Sequence, residues 1–289
     1  YKMTHNNNNE DKRTLYVTDL DGTLLNSKSE VSKRTAEILN HLIDDENIMF
    51  TIATARTPAT AIPKLNDVHL SLPAIVMTGA AMWSKKDNNY HHVSILHADT
   101  VAKIHSLCDK HNVNPFIYMR NGNMLDAYHS KAMSEREQLF VNERCNSPFK
   151  HFILQDKYND DDAMLMFAID DYPKLYNLYE QLCNEIAGCE AICYHDIFGE
   201  ETGLLEIYGE GTSKATAIKK LAKEVNANRI VVFGDNLNDI PMMKIADHAV
   251  AMSNAVDEVR EYANEIIGTN NDDSVARWIQ NDIIAISHK

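Results

Sequence analysis

No stretch of the 289 residues approaches the ~20 consecutive apolar positions that a membrane-crossing helix needs. The N-terminal part also lacks the apolar core of a secretory leader. Residues 1–13, YKMTHNNNNEDKR, are polar and Asn-rich, and predict a disordered lead-in. Cysteine is sparse: Cys108, Cys145, Cys183, Cys189 and Cys193 are odd in number and lack zinc-ligand spacing. That argues against a disulfide framework and leaves reduced thiols in a cytoplasmic protein as the expectation. Positive charge is in deficit, with 28 Lys and Arg against 42 Asp and Glu and a net charge of −14. A surface of that sign disfavours nucleic acid and anionic membranes as partners. It also repels an anionic small molecule at long range, so a phosphate-bearing substrate needs cations supplied locally, by metal, Lys or Arg. There is no internal repeat and no long low-complexity tract. The 13 histidines are scattered. His91-His92 adjoins the polar stretch KKDNNY, which reads as a hairpin tip, so surface positions fit the pair better than ligand positions.

What is present is 44% apolar residues, a normal globular share, in a chain long enough for one large domain or two smaller ones. Three apolar runs end on a polar residue: TLYVTD at Asp19, IMFTIAT at Thr54 and RIVVFGD at Asp235. The last is apolar on consecutive positions, as a parallel strand covered on both faces should be. Helical patterns separate the runs. In 32–45, Ala36, Ile38, Leu39, Leu42 and Ile43 share one face; in 212–225, Ala217, Ile218, Leu221, Ala222 and Val225 do so. Alternating strands and helices predict an α/β fold with a doubly wound parallel sheet, in which ligands bind beyond the carboxyl ends of the strands. Residues 73–82 read as a further core strand and turn. From Ser84 to Gly203 the pattern changes: helices over 99–111, 130–143 and 172–187 alternate with short strands near 115–119, 164–169 and 189–195. This predicts a core of 14–83 and 204–289 with a separate α/β domain, 84–203, inserted into it. The core resumes with LLEIYGEG (204–211), then a helix near 238–246, the strand HAVAM (248–252), a helix over 256–263 and a terminal helix near 273–281.

Four short motifs carry chemistry. In DLDGT, Asp19 and Asp21 stand one residue apart just past a strand end. Asp-Gly is a common turn dipeptide, which accounts for Asp21-Gly22 but leaves Asp19 unexplained. Two such carboxylates can face one crevice, one attacking phosphorus and the other handling a proton; a carboxylate nucleophile divides a hard displacement into two steps. In ATAR, Thr54 offers a hydroxyl and a backbone N–H at a strand end, or else caps the helix after Pro58. Arg56 reads either as a surface residue or as a clamp on an anionic group. In GEGTSK, Lys214 lies in the first turn of a helix, where the dipole disfavours a cation; either an anion binds there or the lysine is solvated. The spacing is not that of a P-loop, which excludes a nucleotide triphosphatase of that type. In FGDNLND, Asp235, Asn238 and Asp239 surround one turn, and capping of the next helix accounts for one of them but not all three. With Asp19 and Asp21 this makes four carboxylates in one crevice. They would repel strongly without a hard cation, and oxygen ligands with room for water and phosphate suit Mg²⁺.

Taken in this order, the four motifs resemble those of the haloacid dehalogenase superfamily of phosphohydrolases. The long insert and the tail VAMSNAVDEVREYANEIIGTNNDDSVARWI resemble its Cof-type (IIB) subfamily, and the likeness covers nearly all of the chain after residue 13. The resemblance implies a Rossmann-like core with an inserted α/β cap. It makes Asp19 the nucleophile and a metal ligand, and Asp21 the general acid/base with its backbone carbonyl on the metal. Asp235 becomes a side-chain ligand and Asp239 a support of the metal site, with Thr54, Lys214 and Asn238 holding the phosphate. The sequence departs from the family pattern at Ala55 and Ser253, where Gly is usual, and at Thr78, where Asn is common. These bear on loop details and leaving-group contacts. The expected function is a Mg²⁺-dependent phosphatase of small phosphorylated metabolites, sugar phosphates leading, acting through an aspartyl phosphate. The alternatives are a phosphomutase using the same intermediate, and a non-catalytic sugar-phosphate-binding or phospho-acceptor module. Asp21, poised beside the nucleophile, favours turnover over binding.

Overall fold

Strands apolar at consecutive positions must be covered on both faces, and the fold is built around that demand. A computed structural model describes residues 13–155, 162–196 and 199–287. The lead-in expected over 1–13 lies outside the described residues except for Arg13.

In chain order the elements begin with β1 (Thr14–Thr18), α1 (Lys33–Asp44), β2 (Met49–Ile52), α2 (Pro58–Ala61), β3 (Ala74–Val76), β4 (Ala81–Ser84) and β5 (Asn89–His91). Next come α3 (Ala98–Lys110), β6 (Phe116–Asn121), β7 (Met124–His129), α4 (Glu135–Arg144), β8 (Lys150–Leu154), β9 (Leu165–Asp171) and α5 (Tyr172–Glu185). β10 (Cys189–Asp196), β11 (Gly199–Gly209), α6 (Lys214–Glu224), β12 (Arg229–Gly234) and α7 (Ile240–Met243) follow. The last are β13 (His248–Met252), α8 (Asp257–Arg260), β14 (Glu265–Ile267) and α9 (Ser274–Ser287).

The chain forms two compact units, each discontinuous in sequence. The first holds 13–53, 66–72 and 218–287. Its sheet runs β14-β13-β12-β1-β2, parallel at every pairing. All five residues of β1 are buried, as the consecutive apolar run predicts. α1 starts at Ser32, whose hydroxyl accepts from Thr35 N, and buries Ala36, Ile38, Leu39, Leu42 and Ile43, the face expected from the pattern. The helix expected over 238–246 is broken instead: a 3-10 turn, Leu237–Asp239, precedes the single turn of α7, which has Pro241 near its start. The helix expected over 256–263 is the four-residue α8, and α9 continues to Ser287 rather than stopping near 281.

The second unit holds 54–65 and, among the described residues, 73–217. Its six-stranded sheet runs β10-β11-β9-β6-β7-β8, antiparallel except for β7 with β8. On one face α3 contributes Val101, Ile104 and Leu107 and α5 contributes Leu175, Leu178 and Leu182 to a core with Ile117, Met166, Leu205 and Ile207 of the sheet. The smaller sheet, β3-β4-β5, is antiparallel, with the polar turn KKDN between its last two strands and exposed histidines at 91 and 92. Two expectations are corrected here. Residues 204–209 form the end of β11 and belong to the six-stranded sheet, not to the parallel one. The helix expected over 130–143 begins only at Glu135, where Ser134 and Glu137 form a reciprocal cap.

Candidate active site

Asp19 follows β1 and Asp235 follows β12. These strands are neighbours, with Thr18 opposite Phe233, and Asp19 N donates to Phe233 O at 2.9 Å. Chain order reverses here, since β1 has β2 on one side and β12 on the other, and such a switch point is where open parallel sheets place their ligands. One carboxylate oxygen from each of Asp19, Asp235 and Asp239 lies within 4.8 Å of the others. Asp19 and Asp239 are buried. Three carboxylates so close repel one another, and a donor set of oxygens alone suits a hard divalent cation.

The turn after Asp19 shows why Gly and Thr follow the aspartates. Leu20–Leu24 closes with Leu25 N donating to Leu20 O, and Gly22 takes a left-handed φ of 75° inside it. A Cβ at Gly22 would lie 2.3 Å from Asp235 Oδ2, so only glycine lets the turn come this near the carboxylate. Thr23 Oγ1 donates to Asp235 Oδ1 at 2.7 Å, and Asn254 Nδ2 donates to Gly22 O at 2.8 Å. Asp21, exposed, sits at extended angles in the same turn. The Asp-Gly turn and the carboxylate cluster are therefore one device.

On the other strand, Asp239 Oδ2 accepts from Asp235 N at 3.0 Å and from Asn236 N at 3.1 Å. Asn236 completes a reciprocal cap of the 3-10 turn. Asp239 thus serves both the cap and the carboxylate cluster. A Cβ at Gly234 would lie 2.7 Å from Asp239 Cβ. Asn238 is exposed on the turn.

The other anticipated residues lie in the second unit. Thr54 is buried; its N donates to Ile75 O at 2.9 Å, its O accepts from Thr78 N at 3.0 Å, and its hydroxyl accepts from Arg56 N at 3.2 Å. It does not cap α2, whose N-cap position is Thr57. Arg56 is half-buried, with Nη1 at 3.5 Å from Thr60 O. Lys214 opens α6 with a relative exposure of only 1%, which removes the solvated-lysine reading. Ser213 caps that helix, accepting from Thr216 N at 3.1 Å.

Beside it stands a turn of unusual backbone. Met77, Thr78 and Gly79 have φ of 49°, 55° and 97° in succession. Glycine is required at the third position, where a Cβ would lie 2.3 Å from Ser213 O. The buried carboxyl of Glu206 accepts from Tyr208 Oη at 2.7 Å and Tyr194 Oη at 2.8 Å. Burial pushes its pKa up, against the pull of those hydroxyls and of the Lys214 charge. Tyr208 Oη also reaches Thr78 Oγ1 at 3.4 Å. Ala55 is half-buried and Ser253 is exposed, its carbonyl accepting from Arg260 at 2.6 Å.

The predicted residues thus fall into two groups: Asp19, Asp21, Asp235, Asn238 and Asp239 in the first unit, and Thr54, Arg56 and Lys214 in the second. Thr23, Asn236, Glu206 and Tyr208 were not anticipated. Asn236 was findable, because Asn-x-x-Asp before a helix is a capping signature. Glu206 gave no motif-level signal: it accepts from Tyr208 in its own strand and from Tyr194 in the next, and only Tyr208 reaches on to Thr78, 130 residues earlier.

A family model for haloacid dehalogenase-like hydrolases matches residues 16–279. The 5-amino-6-(5-phospho-D-ribitylamino)uracil phosphatase YitU of Bacillus subtilis is 25% identical over 275 residues, covering 94% of this chain and 98% of its own. The pyridoxal phosphate phosphatase YbhA of Escherichia coli is 29% identical over 281 residues, with coverages of 92% and 97%. A haloacid dehalogenase-like hydrolase from Bacteroides thetaiotaomicron shares the fold, with a TM-score of 0.75 at 23% identity over 94% of this chain and all of that one. Among the described residues, no helix is long and apolar enough to cross a membrane. The match over most of the length, the carboxylate cluster at the switch point and the phosphatases among the relatives make the chain a phosphoric monoester hydrolase. It belongs to the haloacid dehalogenase-like hydrolase family.

Proposed function

We propose that the enzyme is a Mg²⁺-dependent phosphatase of small phosphorylated metabolites, with sugar phosphates as the leading class, working through an aspartyl phosphate on Asp19. The observation that carries this reading is the trio Asp19, Asp235 and Asp239, whose oxygens lie within 4.8 Å of one another at the ends of adjacent parallel strands. Asp19 and Asp235 would hold the ion together with the Asp21 backbone carbonyl, and Asp239 would support them. When bound, Mg²⁺ neutralises the clustered carboxylates and draws charge from the phosphoryl oxygens.

The protein's own groups then divide the work. An Asp19 carboxylate oxygen attacks phosphorus as the bond to the leaving oxygen breaks, and Asp21, protonated, delivers its proton to that oxygen. Asp21, now a carboxylate, takes a proton from water; the water oxygen bonds to phosphorus, the P–O bond to Asp19 breaks, and inorganic phosphate leaves. Thr54 and Lys214, with Asn238, bind phosphoryl oxygens through the transition state, and Arg56 clamps the anionic substrate. The insert expected at 84–203, with its sheet continuing to Gly209, serves as the cap that contacts the leaving group and excludes water.

Asp21→Asn tests the scheme. With an aryl phosphate, whose leaving group needs little protonation, the variant should form the phosphoenzyme and hydrolyse it slowly, with turnover down by about 10²–10⁴-fold. Rapid-quench mass spectrometry should find one phosphoryl group on the peptide containing Asp19, labile to hydroxylamine. Normal turnover, or a label elsewhere, removes the mechanism.

A further inference from the structure

Thr78 occupies a backbone state that its residue type resists. A β-branched side chain at φ 55° is strained, and the preceding Met77, at φ 49°, shares the left-handed region without being glycine. Something must hold such a turn, and the contacts around it are specific. Thr78 N donates to Thr54 O at 3.0 Å and Met77 N donates to Arg56 O at 3.0 Å, tying the turn to the ATAR motif. Gly79 lies against Ser213, the cap residue directly before Lys214. The Thr78 hydroxyl lies 3.4 Å from Tyr208 Oη, which is itself bonded to the buried Glu206 carboxyl. The turn is therefore the piece of backbone that touches both Thr54 and the start of α6. It is braced by a three-member chain of side chains, all buried.

We infer that Glu206, Tyr208 and Thr78 form a positioning relay that fixes Thr54 and Lys214 in the one arrangement able to grip a phosphoryl group. None of the three need touch substrate. Glu206 orients Tyr208, Tyr208 holds the Thr78 hydroxyl, and the left-handed turn then sets the Thr54 carbonyl and the Ser213–Lys214 peptide. Asparagine takes the left-handed state with less strain than threonine does. A chain with threonine there needs an external brace, which Tyr208 supplies. The inference rests on Thr54 and Lys214 being phosphate-binding residues.

Five variants test the relay: Thr78→Val, Thr78→Ser, Tyr208→Phe, Glu206→Gln and the double variant Thr78→Val/Tyr208→Phe. For each, inhibition by inorganic phosphate, kcat and KM for an aryl phosphate, and the melting temperature are measured on the whole protein. Thr78→Val and Tyr208→Phe should each lower kcat/KM and weaken phosphate inhibition by about 10–100-fold, the scale of a small misplacement of binding groups. The double variant should be no worse than the worse single one, since both changes cut the same chain. Thr78→Ser, which keeps the hydroxyl and loses the branch, should behave as the parent does. If Thr78→Val fails to fold, Tyr208→Phe and Glu206→Gln carry the same expectation. Variants that melt earlier yet bind phosphate and turn over normally while folded would overturn the relay, as would additive losses in the double variant. Lys214→Ala separates this inference from its premise. Unchanged phosphate inhibition in Lys214→Ala removes the phosphate-binding reading itself, whereas weakened inhibition there with normal relay variants removes only the relay.

Discussion

The bare hydrogen at position 22 keeps the turn clear of the Asp235 carboxylate. Gly22→Ala combines two faults, a left-handed φ worth roughly 1–2 kcal/mol and a Cβ aimed at Asp235 Oδ2. Urea unfolding should show that loss of stability, and metal-dependent turnover should vanish. Gly22→Asn tests which fault matters, because asparagine tolerates the angle but still carries the Cβ. It should regain part of the stability and none of the activity; recovered activity would mean that the angle alone is the constraint. Lys214→Ala should reduce transition-state stabilisation by about 2–4 kcal/mol, the usual scale for loss of one charge-directed donor, as read from kcat/KM. Asp19 and Asp235 could be picked out in the sequence because each directly follows an apolar strand. The hydroxyl of Thr23 and the cradle for Thr78 were not. Their partners are more than 100 residues away, and no local period records such a pairing.

Elements whose burial follows a simple period were legible, and those stabilised by polar contacts were not. α1 and β12 matched their patterns because burial on one stripe or on both faces is all that they require. β7 and β8 were missed. Each carries a polar residue inward, Asp126 held by Asn121 at 2.8 Å and Lys150 set over the rings of Tyr118, Phe140 and Phe152. LLEIYG of β11 is as apolar as a core strand, yet it pairs antiparallel with β9 and β10 and packs one face on α3 and α5. The end of β7 also holds a pH-dependent clasp. His129, fully buried, places Nδ1 2.9 Å from Ser130 O and Nε2 3.0 Å from Asn114 O, with Glu137 of α4 at 3.5 Å. Two carbonyls facing two ring nitrogens are satisfied only by the imidazolium, which donates from both. Burial opposes that charge, but Glu137 and the carbonyls outweigh it and raise the His129 pKa. For Glu137, burial pushes upward, and His129 and the Ser134 cap pull its pKa below the ordinary value. A raised histidine stabilises the fold fully below its unfolded pKa, and that contribution is lost as pH rises through the folded one. The lowered glutamate stabilises above its unfolded pKa and loses that contribution as pH falls through its folded one. The melting temperature should therefore decline as pH rises from the ordinary histidine range through the raised pKa of His129. Glu137→Gln should flatten that slope; an equally steep decline in the variant would place its origin elsewhere.

Taken whole, the chain sets a charge of −14 against an anionic substrate. Screening should ease the approach: kcat/KM for an aryl phosphate should rise by less than about tenfold as ionic strength goes from ~0.01 M to ~0.15 M at saturating Mg²⁺. A fall over that range would show that local cations govern the encounter even at a distance. EDTA should abolish turnover and Mg²⁺ restore it, whereas full activity in metal-free buffer would contradict a site built on three clustered carboxylates. The order of the parallel sheet has a further consequence, for synthesis on the ribosome. β1 must pair with β12, whose first residue emerges roughly two hundred residues later. At ordinary elongation rates that is a wait of roughly 10–40 s, during which β1 exists without β12 and Asp19 without Asp235. Antiparallel pairs such as β6 and β7, nearly adjacent in sequence, can close while the chain is still growing. The clustered carboxylates would thus be among the last groups assembled, and a nascent chain that stalls before residue 229 would carry Asp19 without Asp235 and Asp239 beside it.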